Sequence, residues 1–350
     1  MGILRLEFSQ KAQFSVLILC SLVLTRWWSG SLADTSIYYG GGERLFNAEN
    51  PYDGNSQFFS APTGAKFLFL VGNLLSITNY PFIWQIVNIL GLSLFFFFVL
   101  NELGIKSHSV LFTGLLLICA PVREMVVNNQ ITGYVLGLGS LCILITRKFH
   151  SQGVLVLFTV LIYLSFELKP NLLIGLLIYF LWKNRKIFTK YSIFLLIILQ
   201  TFLVVMFHSE YVEWFSHVTS QGAGKLTGFE SLGLSTLVYE SDLLSYENAR
   251  YFGLTIFIIS ALFYVFSLRK QDSKVLLFLI PLLTLTFPYI HLLDLVVALP
   301  LIIPSIFRER MLRFMGPAVI AILVLPRPSD SIVKNSAIMV LVGVFSSFQY

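Results

Sequence analysis

The chain has 350 residues, of which 56% are apolar and only 12% are charged, about half the charge of an average soluble domain. So little polar surface cannot cover a soluble core of this size, and the same composition excludes a disordered chain. A net charge of +6, scattered in short clusters, argues against a nucleic-acid partner.

A membrane-crossing helix needs about 20 mostly apolar residues, with shorter runs where helices kink or are buried. On that rule the sequence predicts an all-α, polytopic helical membrane protein with about twelve transmembrane helices, roughly ten to thirteen. In chain order the spans fall at 12–32, 80–100, 109–122, 131–146, 153–167, 170–182, 191–207, 251–268, 275–290, 291–306, 314–327 and 333–350. Arg5 and Lys11 precede the apolar run 14–24, and Ser31-Leu32-Ala33 imitates a leader-peptidase site. The run continues through Trp27 and Trp28, an interfacial pair, so the first helix is expected to be retained.

The stretch 64–78 is short and interrupted, and it reads as a helix lying at the membrane interface. It sits in a long first extracytoplasmic loop, 33–79; a second long loop covers 208–250. Residues 1–350 form one integral membrane domain with no recognisable repeat. Placing both termini in the cytoplasm puts most of the 24 cations on that side, among them Lys106, Arg147, Lys148, Lys183, Arg185 and Arg308. Most of the 18 acids then fall on the other side. The expected location is the plasma (inner) membrane, with the chemistry extracytoplasmic. Cys20, Cys119 and Cys142 lie in apolar runs without metal-ligand spacing, so neither a disulfide framework nor structural zinc is expected.

Polar groups near the outer face are the informative ones, because burying them is costly unless they act. Asp34 ends the first helix there; it is either a helix cap in water or a functional carboxylate. Gly40-Gly41-Gly42 removes side-chain bulk, allowing close approach of backbone or ligand, but no Walker-type Lys-Ser/Thr follows. Glu43 and Arg44 come next and face either the same cleft or water. Lys169 sits in a Glu-Leu-Lys-Pro break, as a phosphate ligand or as a partner of Glu167. Arg123 follows Pro121 at another helix end, either as a second cation for a ligand or as an ion-pair partner of its neighbour Glu124. Asn128, Asn129 and Gln130 could bind sugar hydroxyls or join helices. His291 lies one turn from Asp294, which could orient its imidazole.

Several blocks together resemble the bacterial polyprenol-phosphate-mannose-dependent α-(1→2)-mannosyltransferases of the glycosyltransferase C (GT-C) superfamily. They are Asp34 with Tyr38-Tyr39, then Asn50-Pro51-Tyr52-Asp53 and Phe58-Phe59-Ser60-Ala61-Pro62, where the family has a second proline. Further along come Ala120-Pro121-Val122 with Asn129-Gln130, Glu167-Leu168-Lys169-Pro170, Ser231-Leu232 and Pro288-Tyr289-Ile290-His291. The blocks run from about residue 12 to 305, in family order, on one membrane side.

The resemblance implies a GT-C-type enzyme that moves a hexose, mannose first, from a polyprenyl-phosphate donor to a glycan or glycolipid acceptor with inversion. Asp34 would be the general base. Lys169, Arg123 and His291 would hold the donor phosphate, while Glu43, Arg44, Tyr52, Asn129 and Gln130 would line the sugar and acceptor site. A lipid monophosphate leaving group needs cations and hydrogen-bond donors rather than a metal, and no Asp-x-Asp accompanies Asp34, so no cofactor or metal is expected. The competing readings are a flippase or transporter of lipid-linked sugars, which should show paired halves, and an O-antigen-type polymerase, which should place arginines in the second loop. The partners implied throughout are membrane lipid, donor and acceptor, with no nucleic acid.

Overall fold

The computed structural model describes residues 33–52, 60–76, 81–105, 109–149, 151–183, 185–221, 242–267 and 292–300, together with 15, 19, 238, 239, 280, 283 and 284. Among these residues every regular element is helical. The expected spans 12–32, 275–290, 314–327 and 333–350 lie outside the described residues, apart from those isolated positions.

The 22-residue helix α3 (Pro81–Glu102) follows α1 (Ala33–Phe46) and α2 (Pro62–Leu74). At about 1.5 Å rise per residue, α3 matches the roughly 30 Å hydrocarbon layer. It is the one described helix long and apolar enough to cross a membrane by itself, over Phe82–Glu102. Its apolar residues run all round, with Phe95, Phe96 and Phe98 buried while Leu90 and Phe97 are exposed. The 13-residue α2 is too short to cross.

The single helix expected at 109–122 is broken into α4 (Ser109–Leu117) and α5 (Ala120–Val127), which meet at 67°. Pro121 explains the break: its ring clashes with the carbonyl of Leu117, four residues back, and it has no N–H to donate. If this bent pair counts as one crossing, and likewise α9 (Arg185–Met206) with α10 (His208–Gln221), three crossings result. The latter pair turns by 96°.

Between them come α6 (Thr132–Lys148), α7 (Gln152–Leu168) and α8 (Pro170–Lys183). Ser151 caps α7, its hydroxyl accepting from the Val154 amide at 3.4 Å. Pro170 pushes Lys169 out of the helical region, to φ −144° and ψ 79°, so α7 stops and α8 restarts. The helix α11 (Tyr246–Ser267) begins five residues before the expected span. Within the span expected at 291–306, residues Leu292–Val297 wind as a 3₁₀ helix packed on α5; 291 and 301–306 lie outside the described residues. The tighter winding accompanies burial of the Asp294 side chain.

The core is built on α3 against α6. The Tyr134 amide donates to Asn88 Oδ1 at 2.9 Å near the start of both helices, and Arg147 meets Glu102 at their ends. The two helices therefore run parallel. They approach closely because glycines face the contact: a Cβ on Gly133 would strike the Asn88 carbonyl, and one on Gly137 would strike the Gly91 backbone. At the far end Arg147 Nη2 donates to Glu102 Oε2 at 2.8 Å, and the Tyr179 hydroxyl donates to the same oxygen at 2.7 Å.

Candidate functional site

The helix breaks collect at the opposite end of the bundle from that Arg147 cluster. The central piece is segment 128–132, the turn between α5 and α6. Asn129 adopts φ +50°, a left-handed conformation that asparagine tolerates better than most residues. This turn aims neighbouring groups in two directions.

Toward α1, the turn holds the first helical turn after residue 33. The Asp34 amide donates to the Asn128 carbonyl at 3.0 Å. The Thr35 hydroxyl donates to the Asn129 carbonyl, and Gln130 Nε2 donates to Asp34 Oδ2. Thr35, Asn129 and Gln130 are buried, while Asp34 is half-buried. Asp34 is thus clamped on both backbone and side chain rather than left as a cap in water.

Toward α8, the same turn ends at Thr132, whose hydroxyl accepts from Lys169 Nζ at 3.0 Å. Lys169 Nζ also donates to Asp294 Oδ1 at 2.9 Å, and Asn171 Nδ2 donates to Asp294 Oδ2 at 3.0 Å. Lys169 is 7% exposed and Asp294 1%. The partner of Lys169 is therefore Asp294, not Glu167. Ammonium and carboxylate sit in a buried four-residue network in which, among the described residues, two of the three lysine N–H bonds have protein acceptors.

Glu167 has its own partners. Its Oε1 accepts from the Tyr163 hydroxyl at 2.7 Å and the Tyr211 hydroxyl at 2.6 Å. Since a phenol has one proton, Thr63 Oγ1, 2.8 Å from the Tyr211 oxygen, is the donor in that pair. The start of α2 is tied to the same break: Ser60 Oγ donates to the Leu168 carbonyl at 2.9 Å, and the Ala61 amide donates to the Glu167 carbonyl at 3.1 Å. Tyr52 is buried on this layer and donates to the Ser60 carbonyl at 3.0 Å. Burial, with Tyr211, Glu167, Glu210 and Glu213 nearby, pushes its phenol well above the ordinary range, so it stays a neutral donor.

Arg123 is half-buried on α5, the helix that packs on the Asp294 segment. Glu43 is exposed; nine residues at about 100° each place it on the opposite side of α1 from Asp34. Arg44 Nε lies 3.6 Å from Glu49 Oε2 near the surface. His291 lies outside the described residues. The structure therefore joins Asp34, Asn129, Gln130 and Lys169 through one turn, with Arg123 at the same end, and leaves Glu43 and Arg44 outside that contact chain. Of the three glycines, Gly42 lets α1 sit against the Ala65 backbone, while a Cβ on Gly40 would meet nothing within 4 Å. They remain helical and form no loop.

Thr35, Thr132, Asn171 and Asp294 were not foreseen as members of this network. One signal for Asp294 was present: a single carboxylate inside Leu292-Leu293-Asp294-Leu295-Val296 requires a partner if that run is buried. Among the described residues no three His, Cys, Asp or Glu side chains are grouped to hold a metal ion. No family model matches the sequence, and neither a curated protein nor a solved structure matches it.

Proposed function

We propose that the chain is a multi-pass membrane glycosyltransferase of GT-C type, with about twelve spans. It moves a hexose, mannose by the sequence resemblance, from a polyprenyl-phosphate donor to a glycan or glycolipid on the non-cytoplasmic face of the plasma membrane. The observation that carries this reading is the convergence on one turn of the two residues singled out independently in the sequence, a carboxylate at 34 and an ammonium at 169. The parallel course of α3 and α6 supports the topology, because a single return crossing, the bent α4–α5 pair, connects them.

In this reading the acceptor hydroxyl attacks the anomeric carbon while the bond from that carbon to the phosphate oxygen breaks, giving inversion. The hydroxyl proton passes to Asp34, which Gln130 orients through one carboxylate oxygen. The third N–H of Lys169, with Arg123, meets the charge growing on the leaving phosphate. Asn129 and Gln130 offer amides to sugar hydroxyls.

The test is transfer from labelled polyprenyl-phosphate mannose in membranes containing wild type or Asp34→Asn at equal protein level. The expected result is a loss of about a hundredfold or more. Unchanged transfer removes Asp34 as the base. Movement of the lipid-linked sugar between leaflets without a new glycosidic bond would favour a flippase.

A further inference from the structure

Helix α10 turns away from α9 by 96°, so with α9 as a crossing, α10 runs close to the membrane plane at one end of the bundle. The corner is held in place: Lys66 Nζ lies 3.9 Å from the centre of the Phe207 ring and 3.1 Å from Glu210 Oε1. The last turns of α9 expose Phe202, Val205 and Met206. The surface that reaches the corner is therefore apolar.

Past the corner, a turn of about 100° per residue divides α10 into three sectors. The first faces the bundle. Tyr211 donates to Glu167 at 2.6 Å, Trp214 packs against the cluster of Leu45, Tyr52 and Ala65, and the His217 ring lies 5.9 Å from that of Tyr52. The second sector carries Ser209, Glu213 and Ser216, all polar and exposed. The third carries Val212 and Phe215, 54% and 64% exposed and about 60° apart on the helix, with His208 between them. A helix that rests on protein and faces water needs only two sectors, one apolar and one polar. The third is a second apolar flank, set between the buried and the polar faces and continuing the exposed apolar surface of α9.

We propose that α10 is an interfacial helix whose Val212–Phe215 flank lies in the bilayer, at the boundary between headgroups and acyl chains, while Ser209, Glu213 and Ser216 face water. The partner is the lipid surface itself. Residues 208–221 contain no Lys or Arg, and Glu213 is exposed, so burial of apolar surface holds the helix there and attraction to anionic headgroups does not. The inward face of the same helix lies over Tyr52 and Glu167, so the bilayer helps to hold this cover in place. The inference goes beyond the transferase reading and requires only that α9 cross a membrane.

The experiment places one nitroxide at a time on the full chain in phosphatidylcholine vesicles, in a Cys20→Ser background. The sites are Val212→Cys, Phe215→Cys, Ser209→Cys, Glu213→Cys and Ser216→Cys, with Ile198→Cys marking hydrocarbon on α9. Depth is read from collisions with oxygen, which concentrates in lipid, against a nickel chelate, which stays in water. Labels at 212 and 215 should lie about 5–10 Å into the headgroup and acyl boundary, and those at 209, 213 and 216 in water. Adding phosphatidylglycerol should leave these depths unchanged. Val212→Ser combined with Phe215→Ser should speed amide exchange across 208–221 about tenfold, whereas Ser209→Ala with Ser216→Ala should change it by less than about twofold. Labels at 212 and 215 in water, with Ile198→Cys in hydrocarbon, overturn the proposal and leave the crossing by α9 intact. Labels shielded from both oxygen and nickel mean a protein cover and overturn it too. So does a depth that appears only with the anionic lipid, or exchange that the double serine variant leaves unchanged. A label at 198 in water overturns the proposal together with the crossing.

Discussion

Removing one member of the Lys169–Asp294 pair takes the opposite charge from a buried ionic group, since Lys169 is 7% exposed and Asp294 1%. Lys169→Ala and Asp294→Ala should each destabilise the protein by about 3–5 kcal/mol, read as a lowered melting midpoint in detergent. Combining Lys169→Met with Asp294→Leu removes both charges and should cost far less than the sum of the two. If the double variant recovers its melting midpoint but not transfer from the labelled donor, the ammonium acts on substrate as well as on the fold. If stability and transfer recover together, its role is structural. The carboxylate at 34 and the lysine at 169 stood out in the sequence because each is charged at the edge of an apolar run. Asp294 was noticed only as a neighbour of His291. Its partner is 125 residues away, and composition or helical periodicity carries no register over that distance.

At the scale of elements, close backbone approach decides which glycines matter. Gly133→Ala should separate α3 from α6, since its Cβ would strike the Asn88 carbonyl, and should cost about 1–3 kcal/mol or prevent assembly. Gly40→Ala, in a helix with open space around it, should instead stabilise by about 0.5–1 kcal/mol. Thermal melts of the two variants should move in opposite directions. Both glycines looked alike in the sequence, because neither helix partner nor contact face is written in a local run. The apolar run that became α3 was legible almost to the residue. Its 22 residues exceed anything a short buried helix would need. The break at Pro121 was marked by its own proline, yet the run around it was apolar enough to read as one span. The 3₁₀ winding at Leu292–Val297 had no local mark at all.

For the whole molecule, the proposed topology puts Glu43 and Lys148 on opposite sides of the membrane. Both are exposed; among the described residues Cys119 and Cys142 are buried, and Cys20 is replaced by serine so that the remaining native thiol adds no background. In intact cells an impermeant maleimide should label Glu43→Cys, whereas Lys148→Cys should react only after permeabilisation. Labelling of both from one side would overturn the proposed orientation. The charge asymmetry that led to this orientation is a property of many residues at once, which is why it was readable before any helix boundary was known. The site was readable only as separate pieces, because it is made where four chain breaks meet.

The anchoring of α6 has a mechanical consequence. It is fixed at one end by Lys169 and Asn88 and at the other by Glu102 and Tyr179, so it behaves as a strut that cannot tilt without breaking polar contacts at both ends. By contrast, the layer of α2 and α10 is fastened to itself by Lys66–Glu210 and Thr63–Tyr211, and to the frame beneath it through Glu167 and Leu168. A molecule entering this end should therefore displace the cover and leave the frame still. Amide hydrogen exchange should be slowest along α6 and fastest in α10, and an occupant beneath the cover should slow α10 alone.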